Sequence, residues 1–125
     1  MATSTERASV RYVVDDVQAA VDFYTHHFDF EVGTDAVPAF AEVLRGPLRL
    51  LLSGPPSSGA RSTPDDHRTP GHNRILIVVD DLDAEMDRLR AAAVTYRSDV
   101  VAGPGGRQLL VADPAGNLVE LFEPA

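Results

Sequence analysis

Cysteine is absent from this chain of 125 residues, which removes disulfides, thiolate metal sites and cysteine nucleophiles together. Lysine is absent as well: all 11 basic residues are arginine, against 19 acidic ones, for a net charge of −8. That balance disfavours nucleic acid and anionic membrane surfaces as partners, because both present phosphate. Long apolar runs are also missing, and nothing approaches the roughly 20 residues that span a bilayer. The opening Met-Ala-Thr-Ser-Thr-Glu-Arg lacks the basic-then-apolar pattern of a secretory signal, so the expected location is cytoplasmic. No serine sits on a recognisable nucleophile turn, and Gly103-Pro104-Gly105-Gly106 lacks the lysine and following helix of a phosphate loop, so it reads as a hairpin connection.

What is present is a repeat. Val13-Val14-Asp15-Asp16 returns 65 positions later as Val78-Val79-Asp80-Asp81, each time between an apolar strand and an amphipathic helix. In the first half, residues 9–14 read as a strand and Asp16 as a helix N-cap. Val17, Ala20, Val21, Tyr24 and Phe28 then draw one helical stripe, and Asp29 is placed to end the helix in a left-handed conformation. Strands are expected near 30–32, 40–44 and 48–52. In the second half, 74–79 reads as a strand, Asp81 as a cap, and Leu82, Met86, Leu89 and Ala93 as a stripe. Strands follow at 94–99, 107–112 and 118–122, with the breaker-rich turn Asp113-Pro114-Ala115-Gly116-Asn117 before the last.

Between the halves, about 54–71, Gly-Pro-Ser-rich sequence without apolar periodicity reads as a linker. The expectation is one α+β domain over 1–125, built of two βαβββ modules at about 8–53 and 72–124. Each module leaves one apolar sheet face uncovered, so curved mixed sheets should pair with helices outside. Pairing within one chain or a swapped homodimer both remain open.

Val13-Val14-Asp15-Asp16-Val17, Phe23-Tyr24, Phe28-Asp29-Phe30 and the ending Asp113-Pro114-Ala115-Gly116-Asn117-Leu118-Val119-Glu120-Leu121-Phe122 resemble the vicinal oxygen chelate superfamily. That family includes glyoxalase I, extradiol dioxygenases, and fosfomycin- and bleomycin-resistance proteins. The resemblance covers roughly 8–124. It implies βαβββ modules, dimers, and in metal-dependent members a ligand on the first and last strand of each module. The first-strand ligand lies seven residues before the capping aspartate. Those positions carry Ser9, Arg74, Leu50 and Glu120 here, so one of four is a metal-ligand side chain. Shifting the register would exchange Arg74 for His72, which still leaves too few. Arg74 and Glu120 are expected to form a bidentate ion pair where the metal would sit. The implied state is metal-free, with no cofactor.

Taken outward from the ligand positions that the resemblance implies, strand alternation assigns Ser9, Arg11 and Val13, Leu48, Leu50 and Leu52, Arg74, Leu76 and Val78, and Leu118, Glu120 and Phe122 to the cavity side. Phe40 and Tyr96 are the other aromatics, read either as stacking on a flat ligand or as core packing. The resemblance implies that Arg107 and Gln108 contact the ligand, because the residues after the 103–106 loop line the cavity in the family. His26 and His27 read as a solvent-facing helix end, and His67 and His72 as surface residues. The favoured reading is a metal-independent small-molecule binder of the bleomycin-resistance type, sequestering a hydrophobic or aromatic natural product in the manner of antibiotic resistance. The alternative is a metal-free isomerase, cyclase or lyase using Glu120 as its catalytic group with cavity arginines.

Overall fold

The computed structural model describes residues 7–125. The chain divides at Thr69/Pro70 into two compact units. Unit 1 runs β1 (Ala8–Val13), α1 (Val17–His27), β2 (Glu31–Ala36), β3 (Phe40–Arg45) and β4 (Leu48–Ser53), then α2 (Ser58–Arg61) and a 3-10 turn (Asp65–His67). Unit 2 runs β5 (Arg74–Val78), α3 (Leu82–Ala91), β6 (Val101–Gly103), β7 (Gly106–Ala112) and β8 (Leu118–Pro124). Each sheet is four-stranded and mixed, ordered β1-β4-β3-β2 and β5-β8-β7-β6. The first and last strands of each unit pair in parallel and the rest are antiparallel. This is the α+β plan of two βαβββ modules that the repeat implied.

The helices start where the aspartates allow. Asp16 Oδ1 accepts Ala19 N–H at 3.0 Å, and Asp81 Oδ1 accepts Ala84 N–H at 3.1 Å, each satisfying one orphan donor of the first turn. Asp29 follows α1 with φ 58°, the left-handed position expected of it. Helix α1 buries Val17, Ala20, Val21, Phe23 and Tyr24 against its sheet. The rings of Phe23 and Tyr24 meet edge-on at 5.1 Å, and Tyr24 meets Phe30 at 5.4 Å. Helix α3 is thinner in apolar content and buries only Leu82 and Leu89 completely.

Three local expectations change. Ala93 does not continue the α3 stripe; it lies past the C-cap Ala92 in a left-handed conformation, φ 59°. Residues 94–99 do not form a full strand. They touch β7 through a single bridge, Tyr96 to Val111, and the Ser98 hydroxyl then takes the Leu110 N–H at 2.9 Å, so the ladder resumes only at β6. The segment read as an unstructured linker is organised: Ser57 caps α2 through Ala60 N–H at 3.1 Å, Ala60 is buried, and α2 packs on β1 and β4.

The Asp113–Asn117 turn explains its own composition. Asp113 Oδ1 accepts the N–H groups of Ala115 (3.0 Å) and Asn117 (2.8 Å), and Gly116 takes φ 95°, which favours glycine. Both Asp113 and Asn117 are buried. The turn therefore delivers β8, and with it Glu120, in a defined register to β7 and β5.

Candidate functional site

In unit 2 the two sheet faces separate cleanly. Ile75, Ile77, Leu109, Val111, Val119 and Leu121 are buried on the side of α3. The opposite, open face carries Arg74, Leu76 and Val78 on β5, Leu118, Glu120 and Phe122 on β8, and Gln108 on β7. Leu76 pairs with Glu120, Val78 with Phe122, and Gln108 with Phe122. Leu76 and Val78 are 50% and 56% exposed, unusual for aliphatic strand residues flanking a polar pair.

That polar pair is Arg74 with Glu120. Arg74 donates Nε–H to Glu120 Oε1 at 2.8 Å, one prong of the bidentate contact the sequence suggested. The carboxylate side chain is 8% exposed and the arginine side chain 44%. A buried carboxylate is tolerated because a guanidinium compensates its charge. Among the described residues no buried side-chain nitrogen or oxygen lacks a hydrogen-bond partner.

The donor set does not fit a divalent cation. Zinc takes four ligands and calcium six or more. Among the described residues no three His, Cys, Asp or Glu side chains converge on one point. Glu120, the one carboxylate at the four expected ligand positions, is engaged by Arg74.

Two of the expected site residues of unit 2 do not reach the open face. Arg107 lies one position before Gln108 and so points to the helix side. There its guanidinium donates to Glu123 Oε1 at 2.7 and 2.9 Å and to the Asp83 carboxylate at 3.3 Å. Glu123 in turn accepts the Leu82 N–H at 3.0 Å, tying β8 to the start of α3. That backbone hydrogen bond, then Arg107, holds the Glu123 carboxyl below its ordinary value of 4.5, while Glu123 and Asp83 raise Arg107. Tyr96 is likewise structural: its hydroxyl donates to Met86 C=O at 2.6 Å, and Arg90 stands over its ring at 5.6 Å.

In unit 1, Arg11 and Phe40 lie on the face opposite α1, but Leu50 does not. Its register partner is Val10, and it shares with Leu52 and Tyr12 the buried face beneath α1. The aliphatic residue on the open face is Leu51, the partner of Arg11 and of Glu42. The expectation for Leu48, Leu50 and Leu52 was one residue out of phase, because the two-residue turn at Gly46-Pro47 sets β4 differently from the longer turn before β8.

Sequence reasoning placed Ser9 and Arg11 on that face but missed their polar neighbours Arg49, Glu42, Thr34 and Ser53. Arg49 donates to Ser9 Oγ at 2.9 Å and to Glu42 Oε2 at 3.4 Å, and Glu42 Oε1 accepts Thr34 N–H at 3.1 Å. Arg11 donates Nη1–H to Ser53 Oγ at 2.7 Å. The parallel pairing of β1 with β4 was the signal that would have found them, since it fixes Ser9 opposite Arg49 and Val13 opposite Ser53. Of the histidines, His26, His67 and His72 are exposed, and His27 rests its ring on Phe23 at 5.3 Å.

The fold is shared with many solved structures. Lactoylglutathione lyase from Agrobacterium tumefaciens is 25% identical, covering 96% of this chain and 94% of that one with a TM-score of 0.75. An antibiotic-binding protein from Streptomyces sp. CB03234 is 27% identical, covering 100% and 99% with a TM-score of 0.74. A member of the glyoxalase/bleomycin resistance protein/dioxygenase superfamily from Sphaerobacter thermophilus is 26% identical, covering 97% and 98% with a TM-score of 0.72. No curated protein sequence matched. The family model that matches spans residues 7–121, and on that match the chain belongs to the Glyoxalase/Bleomycin resistance protein/Dioxygenase superfamily.

Proposed function

We propose that this protein binds and sequesters a hydrophobic or aromatic small molecule, without a metal and without transforming it. The observation that carries the reading is the open face of unit 2, where exposed Leu76 and Val78 surround the single Arg74–Glu120 pair. A few oriented polar groups on an apolar surface suit recognition of a mostly apolar ligand. The 27% identity to an antibiotic-binding protein, across the full length of both chains, supports the same reading. Arg74, Leu76, Gln108, Glu120 and Phe122 are the proposed contacts in unit 2, and Arg11, Leu51 and Phe40 those in unit 1. The proposed working form is a cytoplasmic homodimer, checked by light scattering.

The test combines metal analysis with binding. Protein purified without chelator is expected to hold well under one equivalent of Zn, Ni, Fe or Mn, and to bind members of a panel of polycyclic aromatic natural products unchanged by mass spectrometry. A full equivalent of metal, or conversion of the bound compound, overturns the proposal.

The 25% identity to a lactoylglutathione lyase favours one second reading, a metal-free isomerase, cyclase or lyase in which Glu120 moves a proton. Glu120→Gln separates the two. A binder keeps most of its affinity, whereas an enzyme with Glu120 as base loses turnover by about 100-fold or more.

A further inference from the structure

The open face of unit 1 holds a second arginine whose surroundings differ from those of every carboxylate-paired arginine in the chain. Arg11, on β1, is fastened by a neutral group: its Nη1–H donates at 2.7 Å to Ser53 Oγ, and Ser53 is completely buried. Among the described residues no carboxylate pairs with Arg11, although Arg49 on the neighbouring strand pairs with Glu42 and Arg74 with Glu120. Gly59 of α2 also lies close against one side of the guanidinium. A Cβ at Gly59 of α2 would collide with Arg11 Nη1 and stand 2.9 Å from Ser53 Oγ, so the strap over Arg11 fits only because that position has no side chain.

An exposed arginine with one edge fixed and no counter-charge is a preorganised anion receptor. A guanidinium has five N–H donors, and the serine uses one. The residues beside it indicate what the anion is attached to. Leu51 is the register partner of Arg11, and Phe40 is the partner of Ser53, so an aliphatic and an aromatic side chain lie on the same face as the cation. The charge is expected to be small. Arg49, the other arginine of this face, is already paired with Glu42, Glu42 lies across Leu51, and the chain carries a net −8, all of which disfavour a dianionic phosphate relative to a planar monoanion.

We infer that Arg11, held by Ser53 beneath Gly59, takes the carboxylate of an aromatic carboxylic acid, making the ligand class anionic at one end and flat at the other. This rests on the small-molecule binding reading above and narrows it. Naphthoate, naphthamide and naphthyl phosphate, titrated by calorimetry against the full chain, provide the test. Wild type is expected to bind naphthoate about tenfold or more tightly than naphthamide, and more tightly than naphthyl phosphate. Arg11→Gln should bring the carboxylate-to-amide ratio near one. Gly59→Ala should do the same with Arg11 still present, because the new methyl takes the space of the Arg11 Nη1 end and crowds Ser53 Oγ, parting the two. Thermal unfolding confirms that both variants fold.

Equal affinity of wild type for acid and amide, a preference unchanged in Arg11→Gln, preference for the phosphate, or no response to any probe at millimolar concentration each overturns the inference. A protein that binds the natural-product panel yet fails to discriminate acid from amide refutes the carboxylate assignment alone. One that discriminates acid from amide but converts panel compounds refutes sequestration alone.

Discussion

At the scale of single residues, electrostatics is decided by what each arginine finds. Arg74 compensates a carboxylate that is almost out of water, so Arg74→Ala is expected to cost about 1–3 kcal/mol in urea unfolding, reduced from the value for a fully buried pair because the arginine is 44% exposed. Glu120→Gln should cost less, since it removes the buried charge along with the contact. Glu123 gives a pH signature. Its folded-state value is depressed, so its stabilisation is complete above about the ordinary 4.5 and disappears as the pH falls through the lower folded value. The stability difference between wild type and Glu123→Gln should therefore be largest near neutrality and close in acid. A gap that widens below pH 4.5 would contradict the Leu82 and Arg107 contacts as its cause.

At the scale of elements, the repeat was legible because its signals are local. An aspartate followed by helix formers caps wherever it stands, and Asp16 and Asp81 both do. The Asp113–Asn117 turn is equally self-contained, satisfying its own backbone through one carboxylate. Ala93 was less legible. It fits a helical stripe by spacing, yet the chain must leave α3 there, and an alanine adopts φ 59° at a cost. Ala93→Gly is expected to gain roughly 0.5–1 kcal/mol after the entropy cost of glycine, raising Tm by about 2–5 °C. No gain would mean that the methyl at 93 contributes packing that offsets the strain. Residues 94–99 were misread for a related reason: β-branched and aromatic composition favours a strand, but the Ser98 hydroxyl replaces a ladder bond with β7.

At the scale of the whole molecule, the surplus of acidic over basic residues has a direct consequence. With a sequence pI near 4.7, turbidity should peak close to that pH and fall on either side as net charge returns. No helix among the described residues is long and apolar enough to cross a membrane. By itself, the sequence determined the duplicated βαβββ plan, the helix starts and the Asp113–Asn117 turn, because caps and turns are specified over a few neighbouring residues. The meeting of Arg74 with Glu120, by contrast, was legible only through the ligand positions that the family resemblance implies. Only the tertiary structure decided which of Leu50 and Leu51 faces out, that Arg107 and Tyr96 serve α3, and that Arg11 is clamped between Ser53 and Gly59. A strand has a side-chain period of two, so a slip of one residue inverts its faces. Within Leu50-Leu51-Leu52 hydropathy alone does not set the phase; pairing with β1 and β3 sets it, with Leu51 on the face of Arg49 and Ser53.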